Sequence, residues 1–280
     1  MRFYQLDNDT KKYIKRLNYN GIQTPTDIIS IDQFIRGLKD LGIYNNMIEA
    51  WFFRKNHNVG SGNILYSFRD SFNNGIINNI STASWNDRGL VCIANATTSL
   101  SNYVTCNLRP NLLETCSLFS IFMSTPAGME NFTNGYPYVS SLSTNNYYNN
   151  GISILGISSS GTSWGAESKS NSTSNISGNT LFKIVKGSFN SSTILAESRN
   201  SSSTLTSAST SNTNIPRTIS YDRIIFGGRW SSGSIQSSNG SFGTGFHGTH
   251  IFHCFFDIDI NFVSFESLFK STIGKGITLP

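Results

Sequence analysis

Three histidines and a cysteine near the end of the chain form its one cluster of metal-ligand residue types. His247, His250 and His253 follow one another at steps of three, and Cys254 comes next. Residues 246–256 are apolar and contain glycine, which favours a strand over a helix. On a regular strand, His250 and Cys254 share one face and His247 and His253 the other. Each face of the strand would then offer two ligands, fewer than the three or four that zinc needs, so we predict no metal site. We expect two of the imidazoles to be solvated and one to be packed in the sandwich.

The acidic residues offer one pair with spacing suited to catalysis. Glycosidases place two carboxylates about 5–10 Å apart across the scissile bond. Asp257 and Asp259 would share a strand face, but Asn261 and a helical segment follow them, which favours a turn or a helix cap. The six glutamates are isolated: Glu49, Glu114, Glu130, Glu167, Glu197 and Glu266. Without a Gly-x-Ser-x-Gly elbow or a phosphate loop, the sequence predicts no enzyme and no cofactor. A polysaccharide-degrading enzyme remains the third hypothesis.

Aromatic residues in polar, loop-like sequence are the candidate contact residues. They are Tyr136, Tyr138, Tyr147, Tyr148 and Trp164. Exposed tyrosine and tryptophan are enriched where proteins contact subunits, and their rings can stack on sugars. The alternative is that they pack beneath long loops. We favour subunit contact over glycan contact.

The composition favours a β protein without a nucleic-acid or membrane partner. Charged residues make up 13% of the 280 residues, and the formal net charge is +5. Basic residues concentrate at Lys11, Lys12, Lys15 and Arg16, and are otherwise scattered without interleaved aromatics. We therefore expect no nucleic acid. No apolar run approaches 18 residues, so no membrane span is predicted.

The four cysteines have spacings that fit neither a zinc pair nor a disulfide framework. They are Cys92, Cys106, Cys116 and Cys254. We predict buried free thiols and synthesis in a reducing cytoplasm.

The first fifty residues have helical periodicity. Thr24-Pro25 is a helix start signal, and Gly42 is placed to end the helix. The apolar stripe between them consists of Ile28, Ile31, Phe34, Ile35 and Leu38. Shorter helices are predicted over about 9–18 and 43–50. The stripe must pack either on the rest of the chain or on a neighbouring subunit, and we assign it to docking on a particle.

From about Asn63, apolar residues recur at every second position. Short apolar runs separated by Asn, Gly and Ser clusters then continue to a last strand at 250–256, which is typical of a β-sandwich. A brief helix follows near 264–270. We predict a helical docking segment over 1–56 and an antiparallel β-sandwich over 57–280.

Two stretches resemble known families. The segment Gly21–Thr26 (Gly-Ile-Gln-Thr-Pro-Thr), followed by Leu38–Tyr44 and Asn46–Phe53, resembles a leader of bacteriophage structural proteins. Ile225–Arg229 and Phe246–Ile251 resemble the closing strands of concanavalin A-like, or laminin-G-like, jelly rolls. The chain departs from the leader pattern in having Trp51-Phe52-Phe53 without a proline.

The resemblance implies a non-enzymatic virion structural protein that assembles in the host cytoplasm, as a capsid decoration or a tail or fibre component. Its expected partners are other virion proteins and copies of itself, with a trimer as one option. The alternative is a receptor-binding, lectin-like adhesin that recognises host glycans. Fold analogy alone does not assign the partner.

Overall fold

The computed structural model describes most of the chain. The described residues are 5–58, 62–78, 83–92, 103–124, 136–143, 152–156, 163–168, 172–177, 182–190, 192–199, 203–211, 219–231, 234–236, 238–239, 246 and 248–277.

Nineteen strands and four α-helices lie in these ranges. The helices are α1 Asn8–Tyr19, α2 Ile28–Asp40, α3 Lys55–Asn58 and α4 Phe262–Ser271, with short 3-10 turns at Tyr44–Asn46 and Ser71–Asn73. The strands are β1 Met47–Phe52, β2 Ile64–Leu65, β3 Gly75–Asn78, β4 Ala83–Trp85, β5 Leu90–Cys92, β6 Tyr103–Leu113, β7 Thr115–Ser124, β8 Tyr136–Ser143, β9 Ile152–Gly156, β10 Ser163–Ser168, β11 Ser172–Ser177, β12 Phe182–Asn190, β13 Thr193–Arg199, β14 Leu205–Ser211, β15 Ile219–Phe226, β16 Arg229–Ser231, β17 Ser234–Gln236, β18 Ser238–Asn239 and β19 Gly248–Phe256.

Seventeen of these strands form two large antiparallel sheets, which confirms the predicted mainly β sandwich, and β16 pairs with β17 in a separate two-stranded sheet. The first sheet has the order β14-β13-β12-β7-β19-β5-β4, and β1 also pairs with β19. The second has the order β11-β10-β9-β8-β15-β6-β3-β2, and β18 also pairs with β8. Apolar side chains of both sheets, among them Leu118, Phe122, Leu142 and Phe226, meet in one buried cluster. The cluster is the interior of the sandwich.

Helices cover the other face of the first sheet. A second buried cluster joins Phe34 of α2 and Phe265 of α4 to Phe119 and Phe252 of the sheet. The rings of Phe119 and Phe265 stack with centroids 4.0 Å apart. Strand β19 is therefore covered on both faces, and every one of its residues is buried. This explains its nearly continuous apolar sequence.

The structure corrects two local predictions at the N-terminus. The segment predicted as a helix over 43–50 contains strand β1, whose residues pair with β19 from Met47↔Phe256 to Phe52↔Phe252. Helix α2 begins at Ile28 rather than near Thr24, because the side chain of Asp27 caps it by accepting from the Ser30 N–H. Gly42 adopts a φ of +72° just after the helix, as predicted.

Strand β1 lies within the predicted N-terminal docking segment but belongs to the sandwich. Part of the segment 1–56 is a strand of the first sheet, and α1 and α2 pack on that sheet. The division into two independent units stays a prediction. Among the described residues, no helix has the length and apolarity to cross a bilayer.

Candidate functional site

Three of the five predicted contact aromatics lie on strands of the second sheet. Tyr136 and Tyr138 belong to β8, and Trp164 belongs to β10, two strands away in the same sheet. Tyr138 pairs with Leu155 of β9, and Trp164 pairs with the next residue of β9, Gly156. Tyr147 and Tyr148 lie outside the described residues. The backbone thus brings three of the five positions to one region of the sheet.

The apolar stripe assigned to particle docking faces the interior of this chain. Ile31, Phe34, Ile35 and Leu38 are each 0% exposed, and Ile28 is partly buried against the same cluster. Phe34 makes an edge contact with Phe252 of β19 at 5.3 Å between centroids. Docking through these side chains would therefore require helix α2 to leave the sheet.

Asp257 lies in a bend after β19, Asp259 lies in the irregular backbone that follows, and Asn261 caps the next helix. Each of the two carboxylates has its own partners. Asp257 accepts a hydrogen bond from the side-chain amide of Asn46 at 2.9 Å. Asp259 accepts from the Ser188 hydroxyl at 2.6 Å and pairs with Lys186 at 2.6 Å. Both carboxylates thus tie the end of β19 to neighbouring segments.

The histidine prediction is wrong in its assignment of faces. The register of β19 against β7 shifts between His250 and Phe252, so a β-bulge interrupts the alternation. His250 and His253 consequently point to the same side, and His250 Nδ1 lies 3.0 Å from His253 Nε2. Cys254 belongs to the helix-covered face instead. Both imidazoles are 0% exposed, so at most one of the three is solvated, and His247 lies outside the described residues.

The two imidazoles continue into a hydrogen-bonded chain that joins the sheets. His253 Nδ1 lies 2.9 Å from the Ser120 hydroxyl of β7, which lies 2.6 Å from the Ser140 hydroxyl of β8. Burial lowers the pKa of His250 to about 3 and lowers that of His253 as well. Both rings are therefore neutral at pH 7. His250 Nε2 is buried and has no hydrogen-bond partner among the residues that the structure describes.

Aromatic rings enclose this chain, which we name the histidine chain. Phe226 stacks on His253 at 4.5 Å, and Phe246 lies 4.5 Å from His250. Within the described part of the molecule, no three His, Cys, Asp or Glu side chains are grouped to hold a metal ion. The predicted buried free thiols are confirmed for all four cysteines.

Helix α1 provides the surface site that the sequence analysis did not assemble. The helix begins after Asp7, whose side chain accepts from the Asp9 N–H, and it buries Tyr13 and Leu17. The residues on another face are Lys12, Lys15, Arg16 and Tyr19, at positions i, i+3, i+4 and i+7. This spacing places the three cations and the tyrosine in one stripe about 10 Å long.

The stripe faces the segment that precedes β3 across a groove of about 520 Å³. The lining residues, which define the α1 groove, are Lys12, Lys15, Arg16, Tyr19, Asn20, Arg69, Ser71 and Asn74. The described lining contains four cations and no carboxylate, so its potential attracts anions. Tyr19 is 91% exposed, which leaves its ring available to a ligand.

Hydrogen bonds hold both walls of the groove in place. The Arg16 guanidinium donates to the carbonyls of Ser67, at 3.1 Å, and Phe68. The Arg69 guanidinium donates to the Met47 carbonyl and lies over the Tyr44 ring, 5.0 Å from its centroid. Two of the cations are therefore fixed before any ligand arrives, which lowers the entropic cost of binding.

The lysines of the groove keep their charge close to solvent. Lys12 pairs with Asp9 at 2.9 Å, with its own side chain 76% exposed. Burial raises the pKa of Asp9, but hydrogen bonds from Lys39 and Lys12 outweigh it and hold this pKa at about 2. Lys15 is exposed. The groove thus combines anchored guanidinium groups, exposed ammonium groups, neutral amide and hydroxyl donors and one exposed ring.

One sequence signal could have identified half of this groove. The basic concentration at Lys11–Arg16 was evident, and the helical spacing extends it to Tyr19. The other wall comes from residues more than fifty positions later, and no local pattern relates the two walls.

No protein-family model and no curated protein sequence matches the chain. Among solved structures, it is similar to Trypanosoma rangeli sialidase in complex with sialic acid, at 8% identity and a TM-score of 0.50, over 82% of this chain and 34% of that one. It is also similar to the botulinum neurotoxin serotype D ligand binding domain in complex with N-acetylneuraminic acid, at 12% identity and a TM-score of 0.51, over 82% and 52%. The chain spans about a third to a half of the length of these two. At such identities the likeness shows the β-sandwich fold alone.

Proposed function

We propose that this chain is a non-enzymatic, lectin-like binding module that holds an acidic glycan in the α1 groove. The observation that carries the proposal is the stripe of Lys12, Lys15, Arg16 and Tyr19 beside Arg69. Carboxylate or sulfate groups would pair with the cations, and a sugar face would lie on the Tyr19 ring. A stripe about 10 Å long fits an oligosaccharide better than a single ring.

The related folds support the ligand class without assigning a site. Sialic acid and N-acetylneuraminic acid, named in the two solved complexes, are sugars that carry a carboxylate. One of these proteins is a sialidase and the other a ligand binding domain, so the fold serves both catalysis and binding. The binding role is favoured because four of the described acids, Asp257, Asp259, Glu197 and Glu266, are each engaged in ion pairs or hydrogen bonds.

A place on a bacteriophage particle remains a second proposal, carried by the resemblance of the leader sequence. It is compatible with a lectin role, because an adhesin on a virion would bind host glycans. Contacts with other virion proteins, self-association and the contact roles of the five aromatic positions stay predictions. A reconstruction of the whole particle that contains no copy of this chain would rule out the virion proposal.

A panel of immobilised oligosaccharides tests the glycan proposal. The acidic probes are sialyllactose, oligogalacturonate and heparin oligosaccharides, and the controls are lactose and duplex DNA. We expect saturable binding of at least one acidic probe, weakened by salt because the cations are exposed. Preferential binding of DNA would instead identify a nucleic-acid site.

Two charge reversals on the same helix locate the site. Lys15→Glu places a negative charge in the groove and should weaken binding by about tenfold or more, the change that 1.4 kcal/mol represents. Lys11→Glu makes the same change in net charge outside the groove lining and should have a much smaller effect. Equal losses for both variants would contradict a defined groove. Loss with Trp164→Ala but not with Lys15→Glu would move the site to the second sheet.

A further inference from the structure

A buried carboxylate lies directly behind one wall of the α1 groove. Glu49 is on β1, next to an irregularity in its pairing with β19, and its side chain is 0% exposed. Its two oxygens accept four hydrogen bonds. Oε1 accepts from the backbone N–H groups of Ala50, at 3.0 Å, and Arg69, at 2.6 Å. Oε2 accepts from the Asp70 N–H at 3.0 Å and the Asn73 side-chain amide at 2.8 Å.

Three of these donors belong to the segment Arg69–Asn74, which supplies Arg69, Ser71 and Asn74 to the groove. Burial of a carboxylate without partners is costly, and four N–H donors offset that cost. Burial raises the pKa of Glu49, while the hydrogen bonds from Arg69, Asn73, Ala50 and Asp70 act against this shift. The carboxylate and the segment therefore depend on each other.

Other contacts fix the same segment at its C-terminal end. The Trp51 indole N–H donates to the Asn73 carbonyl at 3.1 Å. The Ser67 N–H donates to the Asn74 side chain at 3.0 Å. At the N-terminal end of the segment, Glu49 accepts from the two consecutive backbone N–H groups of Arg69 and Asp70.

We propose that Glu49 is a positioning residue for the α1 groove: it holds the segment Arg69–Asn74 so that this wall faces the stripe of helix α1. Glu49 does not line the groove and would not contact a ligand. This inference rests on the proposed function, because it names the part of the chain that keeps the glycan site assembled.

The isosteric variant Glu49→Gln separates positioning from simple electrostatics. Removal of a negative charge behind a basic groove would, by Coulomb's law alone, strengthen the binding of an anion. Positioning predicts the opposite, because the amide nitrogen of glutamine cannot accept from the Asp70 N–H. We expect Glu49→Gln to weaken binding of the best acidic probe of the panel by about tenfold. Binding equal to or tighter than that of the parent chain would overturn the inference.

Glu266→Gln is the matched control. Glu266 is a second buried carboxylate, 3% exposed, which pairs with Arg199 and Lys270 away from the groove. Both variants should lower the unfolding temperature, but only Glu49→Gln should lower affinity when binding is measured well below that temperature. If Glu49→Gln does not fold, Asn73→Ala removes one of the four donors and should give a smaller loss of affinity in the same direction. Unchanged affinity in this variant would count against the inference.

Hydrogen exchange distinguishes failure of this inference from failure of the glycan proposal. We expect the amides of Arg69 and Asp70 to exchange faster in Glu49→Gln and unchanged in Glu266→Gln, whether or not a glycan binds. If exchange accelerates but no acidic probe binds the parent chain, the proposed function fails and the positioning role stands. If the probes bind and neither exchange nor affinity changes in Glu49→Gln, the positioning role fails alone.

Discussion

Two buried polar networks of this molecule differ in how completely they are satisfied and in what they adjoin. Both oxygens of Glu49 are fully engaged, and the network ends at a groove open to solvent. The histidine chain joins Ser140, Ser120, His253 and His250 between the sheets. It ends among aromatic side chains at His250 Nε2, which has no hydrogen-bond partner in the described part of the chain. A buried polar group without a partner costs stability.

The difference separates two uses of buried polarity. The Glu49 network fixes the backbone of a surface segment, so its effect should be seen in binding. The histidine chain has no contact with solvent, and its imidazoles are held neutral by burial, so its effect should be seen in stability and its dependence on pH. We expect changes in the histidine chain to have the largest effect on stability and changes on the surface of the α1 groove to have the smallest.

His253→Ala should cause the largest loss. It removes a large buried ring that stacks on Phe226, it leaves His250 Nδ1 without its partner, and it leaves the Ser120 hydroxyl bonded to Ser140 only. By comparison with the truncation of buried aromatic rings, we expect a loss of about 3–5 kcal/mol in the free energy of unfolding, measured with urea. A loss below about 1 kcal/mol would show that the chain contributes little to the sandwich.

Mild acid should destabilise the protein through the same rings. The pKa of His250 is lowered in the folded state from 6.5 to about 3, so below pH 6.5 the unfolded chain binds a proton that the folded chain does not. Stability is therefore full above pH 6.5 and falls as the pH decreases, by about 2 kcal/mol between pH 6.5 and 5 for one such imidazole. Urea midpoints at a series of pH values measure this slope.

A double variant assigns the slope to the chain. Replacement of His250 and His253 by phenylalanine should remove most of the dependence of stability on pH between 6.5 and 5, because phenylalanine binds no proton. Ser120 and Ser140 remain bonded to each other in this variant, so neither hydroxyl is left without a partner. His57, whose pKa is also lowered by burial, remains in this variant and accounts for a residual slope. An unchanged slope would place the acid sensitivity outside the histidine chain.

Tyr19→Ala should have the smallest effect on stability. Its side chain is almost fully exposed, so the free energy of unfolding should stay within about 0.5 kcal/mol of the parent value. Binding of the acidic oligosaccharide should nevertheless weaken several-fold, because the ring offers the sugar an apolar face. If Tyr19→Ala instead lowers stability and leaves affinity unchanged, the Tyr19 ring has no role in glycan binding.

The parts of the fold that follow local periodicity could be predicted from the sequence. The stripe Ile31, Phe34, Ile35 and Leu38 and the strand rhythm after Asn63 gave a helical segment and a sandwich, and both are confirmed. Strand β1 was predicted as helix because Ile43, Met47 and Ile48 fit a helical spacing as well as a strand covered on both faces.

The site depended on features that one sequence does not encode locally. The bulge between His250 and Phe252 shifts the alternation by one residue, so faces assigned by strict period two were wrong. Three of the four donors to Glu49 lie about twenty residues further along the chain, and only the fold brings them to the carboxylate. The stripe of helix α1 could have been predicted from the sequence, because it depends only on the helical spacing of Lys12, Lys15, Arg16 and Tyr19.

The most direct test of the α1 groove is a map of amide chemical shifts on titration of the isotopically labelled chain with the acidic probe that binds best. We expect the shifts to concentrate at residues 12–20 and 69–74, lactose to cause none there, and Lys15→Glu to abolish them. Shifts confined to residues 136–148 and 163–168, or none with any acidic probe, would contradict it.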